Sequence, residues 1–242
     1  MAPRFFCPMP LLAHSTVDLP PTVAHHAERA LRLSPGDVLT LFNGQGGEFP
    51  ARLIALGKAA KAELGEHVAG ERESPLAITL VQSLASGDKM DWVLQKAVEL
   101  GASRIVPVTS SRSVVRLSGE RAEKRVEHWQ RIVASACEQC GRNRLPEVAE
   151  LKGLLSHMAQ TPDPGTLRLI LAPDAASKLS DLPRPGAVEL LVGPEGGFTE
   201  DEVLAAQVAG YRAIRLGPRI LRTETAGLAA LTALQMLWGD LS

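Results

Sequence analysis

The sequence predicts an α/β domain preceded by a small β-rich one, and three observations carry that reading. Residues 1–74 hold short apolar runs broken by glycine-rich turns, whereas from residue 75 to 242 short β-type runs alternate with helical ones, the pattern of a layered α/β architecture. Residues 64–75 are polar and charged, with Glu66, Glu71, Arg72 and Glu73 and little periodicity, which reads as a surface linker and places the boundary near residue 74. The 242 residues, 45% hydrophobic and 22% charged, are enough to bury two modest cores and exclude a disordered chain.

Taken in order, the apolar runs 37–42 and 48–56 flank Asn43-Gly44-Gln45-Gly46-Gly47, whose glycines can supply the positive φ of a hairpin turn. Strands are expected at 78–83, 104–108, 167–172, 188–192 and 213–216. Residues 90–100 read as a helix, with Trp92, Val93, Lys96 and Glu99 at helical spacing and Gly101 as its stop. A second helix is expected over 120–138. Thr199 and Glu202 form a capping-box pair opening a third, and Thr223 is the expected N-cap of a fourth ending at Trp238.

Composition narrows the function classes. Lys plus Arg total 26 against 27 Asp plus Glu, a formal charge of -1, so any surface for a polyanion must be local. The longest nearly apolar stretch, 226–238, includes Thr232 and Gln235 and is too short for a bilayer span; no membrane association is expected. Prolines 3, 8 and 10 break the N-terminal apolar run, which fits neither a signal nor a transit peptide. Three cysteines, a small and odd number, fit a reduced, cytoplasmic protein. Cys137 and Cys140 have the spacing of half a metal site, but no second such pair exists, so no metal is expected and helix packing is the preferred reading.

The most informative segment runs from the apolar Leu190-Leu191-Val192 through Gly193-Pro194-Glu195-Gly196-Gly197 to the Thr199 cap. In an α/β sheet that strand-end position is where ligands bind, because backbone can approach closely and N–H groups face outward. The segment matches neither the dinucleotide fingerprint nor a Walker loop. A second loop, Leu216-Gly217-Pro218-Arg219-Ile220-Leu221-Arg222, leads into Thr223 and Glu224. Glu224 suits the positive end of a helix dipole, but Arg219 and Arg222 have the wrong sign for it, and such local conflict marks functional sites.

Together with Gly87-Asp88-Lys89, Gln95-Lys96-Ala97-Val98-Glu99-Leu100-Gly101, Ser111-Arg112-Ser113-Val114-Val115 and Glu138-Gln139-Cys140-Gly141-Arg142, these loops make the chain resemble, over nearly its whole length, the bacterial RsmE family. That family methylates N3 of a uridine of 16S rRNA, conventionally position 1498, with S-adenosylmethionine. The resemblance implies a SPOUT-type α/β domain with a C-terminal trefoil knot over 75–242, preceded by a PUA-like β-barrel over 1–74. It also implies a homodimer acting on 16S rRNA or the 30S subunit. Carried over by residue, the cofactor would lie against Leu171, Ala172, Pro173, Gly193, Pro194, Glu195, Gly196, Gly197, Leu216, Gly217, Ile220 and Leu221.

Methylating N3 requires loss of an imide proton, so a base and a cation beside the uracil oxygens are needed. Glu224 is expected as the base, with Glu195 as second choice, and Arg222 as the cation; the bland alternative is that Glu224 pairs with Arg222 or Arg219 and only fixes the loop. Arg4, Arg112, Arg116, Arg142, Arg144 and Arg219 are expected on RNA, since Arg suits forked phosphate contacts. Arg121, Lys124 and Arg125 alternate with Glu and read as a solvated helix face. Two other readings stay open: a ribose 2'-O-methyltransferase, disfavoured because the last loop lacks a Ser-Leu-Asn motif, and a non-catalytic assembly factor that binds RNA only.

Overall fold

A computed structural model describes residues 2–241 and divides the chain into two compact units, Met1–Glu73 with Ala134–Leu145, and Ser74–Val133 with Pro146–Ser242. Sequence periodicity gave no sign that Ala134–Leu145, inside the α/β region, packs with the first unit.

In the first unit, strands β1 (Arg4–Phe6), β2 (Thr16–Asp18), β3 (Val38–Phe42), β4 (Phe49–Ala55) and β5 (Lys61–Leu64) form one sheet in the order β1-β3-β4-β5-β2. Only β1 and β3 pair in parallel. The expected hairpin is β3–β4, with Leu41 opposite Phe49 across the glycine turn. Gly47 is required there: its φ is +67°, and a Cβ would stand 2.0 Å from the His67 ring. Residues alternate in and out along β4, and Phe5, Leu39, Leu41, Leu53 and Leu64 fill the core. Helix α1 (Pro21–His25), with Pro at its first position, continues into a wide π turn over His26–Ala30.

The expected linker is largely exposed, but it is held in place. Glu73 takes a bidentate pair from Arg142, Gly70 O accepts from Asn143 Nδ2 at 2.7 Å, and Glu71 lies 3.5 Å from Arg144. Polar sequence without periodicity marked this stretch as loop, but not as loop pinned by distant arginines.

The second unit is built on parallel strands in the order β12-β10-β11-β6-β7-β8, with β9 also on β7. Their ranges are β6 (Ala77–Ser83), β7 (Arg104–Thr109), β8 (Glu147–Val148), β9 (Lys152–Gly153), β10 (Thr166–Leu171), β11 (Ala187–Val192) and β12 (Arg212–Ile214). Central β6 and β11 are buried along most of their length, which explains sequences that are mostly apolar, with Gln82 and Ser83 of β6 and Glu189 of β11 as polar exceptions. One sheet face, with Val81, Ile170 and Leu191, packs against α4 (Leu154–Met158) and α5 (Glu200–Val208) through Met158 and Ala206, with Tyr211, after α5, in the same cluster. The other is covered by α6 (Thr223–Trp238), against which α2 (Lys89–Glu99) packs, Gly227 of α6 lying close to Leu80, Gln82 and Val192. Helix α3 (Glu120–Cys140) begins in this unit, and its residues from Ala134 on belong to the first. The short β8, β9 and α4 had no sequence signal, being two to five residues long. Among the described residues no helix is long and apolar enough to cross a membrane.

Candidate functional site

Parallel pairing brings the carboxyl ends of β10, β11 and β12 side by side, and the segments leaving them wall a cleft of about 850 Å³. That volume is ordinary for a small-molecule site. Every loop residue expected to hold a cofactor lines it, together with Arg219, Arg222 and Glu224, and with Lys89 and Arg112 from earlier in the chain.

The glycine loop is shaped by local necessity. After β11 the chain reverses through Pro194–Gly197, Gly197 N donating to Pro194 O at 2.9 Å with Gly197 at φ +67°. Arg112 lies flat along it, Nη1 donating to Gly196 O at 2.9 Å and Phe198 O at 3.3 Å, and a Cβ on Gly196 would meet Arg112 Cβ at 3.1 Å. The capping box then starts α5: Thr199 Oγ1 accepts from Glu202 N at 3.2 Å, and Glu202 accepts from Thr199 N at 2.9 Å. Glu202 also accepts from Ser111 N at 2.7 Å, so one buried carboxylate joins the loop after β7 to the start of α5. Burial pushes the Glu202 carboxyl up, but these hydrogen bonds outweigh it and hold it below the usual range.

Thr223 departs from expectation. It is the first residue of α6, Arg222 occupies the N-cap position without a side-chain cap, and the Thr223 hydroxyl is spent on the site's foundation. It donates to Gly193 O at 2.5 Å and accepts from Gln82 Nε2 at 3.1 Å, and Gln82 is wholly buried. A side chain that reads locally as a cap here bridges three elements.

Charge gathers at one wall. Glu195 Oε1 accepts from Ser86 N at 3.0 Å and Ser86 Oγ at 2.6 Å, and lies 3.1 Å from Lys89 Nζ. Partial burial raises the Glu195 carboxyl, but the Ser86 donors, its own backbone N–H and Lys89 bring it down to about 2. That carboxylate is thus already engaged by Ser86 and Lys89. Glu224 Oε2 is buried, accepts no hydrogen bond among the described residues, and lies 3.8 Å from the same Lys89 Nζ. Its ion-pair partner is therefore Lys89 and neither Arg222 nor Arg219. Those two arginines are exposed at the cleft.

The expected RNA-facing arginines separate into two groups. Arg142 is only 5% exposed and is bound to Glu73; Arg4 is paired with Glu48 and donates to Asn143 Oδ1 at 2.6 Å. Both sit inside the first unit, where neither guanidinium can turn to a phosphate without leaving its carboxylate behind. Arg112 is spent on the glycine loop, and Arg116 donates to Ser111 O at 3.3 Å. Arg112 and Arg116 are nonetheless exposed, as are Arg219 and Arg144, the last also 3.5 Å from Glu71. Cys137 is buried, its thiol pushed up to about 12 by burial, and Cys7 is likewise.

Fold and cleft together define a class: a ligand-binding α/β domain carrying a small β-rich accessory unit. The RNA methyltransferase domain family matches residues 72–235, and the RNA methyltransferase PUA domain family residues 19–63. Ribosomal RNA small subunit methyltransferase E of Buchnera aphidicola from Schizaphis graminum is 34% identical over 99% of this chain and 98% of its own. The crystal structure of a ribosomal RNA small subunit methyltransferase E from Neisseria gonorrhoeae, bound to S-adenosyl methionine, is 47% identical, with a TM-score of 0.93 over 100% of both chains. A chain from Legionella pneumophila, solved with the cofactor SAM bound, is 36% identical with a TM-score of 0.95 over 100% of both. The chain belongs to the ribosomal RNA small subunit methyltransferase E family. Its fold is accordingly the SPOUT-type α/β domain preceded by a PUA domain.

Proposed function

We propose that this protein transfers a methyl group from S-adenosylmethionine to N3 of a uridine in 16S rRNA, on the 30S subunit and as a cytoplasmic homodimer. The observation that carries the reading is the convergence of the three strand-end loops on one cleft with Glu195, Glu224, Arg219 and Arg222 at its walls. Relatives of nearly equal length are solved with that cofactor.

The residues present suit the cofactor. Leu171, Leu216 and Ile220 offer apolar surface for an adenine ring, while the carboxylates of Glu195 and Glu224 complement a cationic ligand. The tight approach of Gly196 to Arg112 leaves backbone, rather than side chain, facing the cleft. When bound, the sulfonium supplies an electrophilic methyl with a neutral leaving group.

What the protein must add is geometry and charge. Aligning donor and acceptor contributes about 7 to 11 kcal/mol in favourable cases. On this reading Arg222, exposed at the α6 N-cap, faces the uracil oxygens as negative charge develops, and Glu224 receives the N3 proton directly or through one water. A general base contributes about 100- to 10,000-fold. The trefoil knot belongs to the same proposal, supported by the path of the chain: β12 pairs with β10, yet α6 returns to pack on β11 and β6.

The test is mass spectrometry of 16S rRNA from a strain lacking the gene, before and after its 30S particles receive purified protein and donor. Appearance of one N3-methyluridine is expected. A ribose methyl group, or unaltered RNA, overturns the assignment.

A further inference from the structure

We propose that Lys89 is the positioning residue of this site, an ammonium anchored on Glu195 that fixes the direction of the Glu224 carboxylate. The inference rests on the methyltransferase reading and adds to it a residue from outside the three loops.

The juxtaposition is specific. Ser86 and Lys89, at the entry to α2, Glu195 in the glycine loop and Glu224 in the first turn of α6 are far apart in sequence, yet Lys89 Nζ stands 3.1 Å from Glu195 Oε1 and 3.8 Å from Glu224 Oε2. Lys89 cannot be explained by its own helix: it is the first residue of α2, where a cation opposes the helix dipole. Nor is the trio a strong stabiliser. The three side chains keep 31%, 27% and 17% of their surface exposed, and pairs with such access to water contribute little to folding.

Glu195, by contrast, is immobilised. Ser86 grips the same Oε1 from its backbone and its hydroxyl, so the lysine's anchor stays put while the Glu224 oxygen has no other donor among the described residues. Removing the ammonium would leave two carboxylates facing one another across the cleft wall and Glu224 without a partner to set its rotamer. Glu195 thus acts through Lys89 and Lys89 through Glu224, and neither need touch the reacting atoms.

The experiment uses the full chain, unmethylated 30S particles and radiolabelled S-adenosylmethionine, comparing wild type with Lys89→Met, Lys89→Arg, Glu224→Gln and the double variant Lys89→Met/Glu224→Gln. Single-turnover rates, cofactor Kd by calorimetry and Tm are read for each. Lys89→Met should slow methyl transfer by about 10- to 100-fold, the scale of a misplaced group beside the reaction. Its Kd should change by less than about threefold and its Tm should stay within about 2 °C, as for a group without a packing role. Lys89→Arg should recover most of the rate. The double variant should be no slower than Glu224→Gln, since the lysine works through that carboxylate. Rates for Lys89→Met near wild type, losses that multiply in the double variant, or a rate loss that tracks a falling Tm in both Lys89 variants would each overturn the inference. If wild type itself leaves the particles unmethylated, it is the methyltransferase reading that fails, an outcome distinct from an active wild type with an equally active Lys89→Met.

Discussion

Single side chains here have sharply different duties despite similar chemistry, and burial is what separates them. Arg142 holds Glu73 through two donors in a nearly closed environment, so Arg142→Ala should destabilise the protein by about 3–5 kcal/mol by stranding a partly buried carboxylate. Urea unfolding followed by circular dichroism measures this. Glu195 carries a pH signature. Its folded carboxyl lies at about 2 against an ordinary 4.5, so the stabilisation it contributes is present above about pH 4.5 and is lost as pH falls toward 2. The Tm difference between wild type and Glu195→Gln should therefore shrink steadily over that interval. A difference that stayed constant with pH would show that the Ser86 and Lys89 contacts do not depend on the charge.

At the scale of elements, the sheet carries an unexpected polar core. Glu189 of β11 lies 3.1 Å from Arg168 Nε of β10 and 3.4 Å from His157 Nε2 of α4, and also accepts from the Tyr211 hydroxyl. Burial pushes the Glu189 carboxyl up, but His157, Tyr211 and Arg168 outweigh it and hold it below the usual range. Glu189→Ala should cost about 3–5 kcal/mol by leaving Arg168 buried without its counter-charge, read as a shifted urea midpoint. No sequence rule marks such a cluster: Arg168 and Glu189 are neighbours only because β10 and β11 pair in register, Arg168 opposite Glu189. The long strands and helices were legible because their apolar periodicity is strong, and the Thr199 cap because it is local. Thr223 was misread for the complementary reason. Its hydroxyl answers to Gly193 and Gln82, distant in sequence, and not to its own helix. Lys89 has a legible signal, a cation at the wrong end of a helix, of the same kind as Arg219 and Arg222.

For the whole molecule, near-neutral net charge leaves RNA binding to local groups of exposed cations and not to an overall field. Arg144 and Arg219 are exposed, whereas Arg142 is not. Affinity for 16S rRNA should fall steeply with salt, and Arg144→Ala and Arg219→Ala should each flatten the log–log slope by about 1. Arg142→Met, measured where it remains folded, should leave the slope unchanged. Filter binding across a salt series separates these outcomes, and equal slopes for all three variants would move the RNA surface elsewhere. The discontinuous first unit has a further consequence for how the chain is born. Residues up to Glu73 leave the ribosome well before Ala134–Leu145, which supply Glu138 to Phe6 N, Arg142 to Glu73 and Asn143 to Gly70 and Arg4. Although domains tend to fold N-terminus first during translation, this one must wait for a late clasp, so stalled nascent chains should acquire protease resistance in their opening segment only after Leu145 has cleared the exit tunnel.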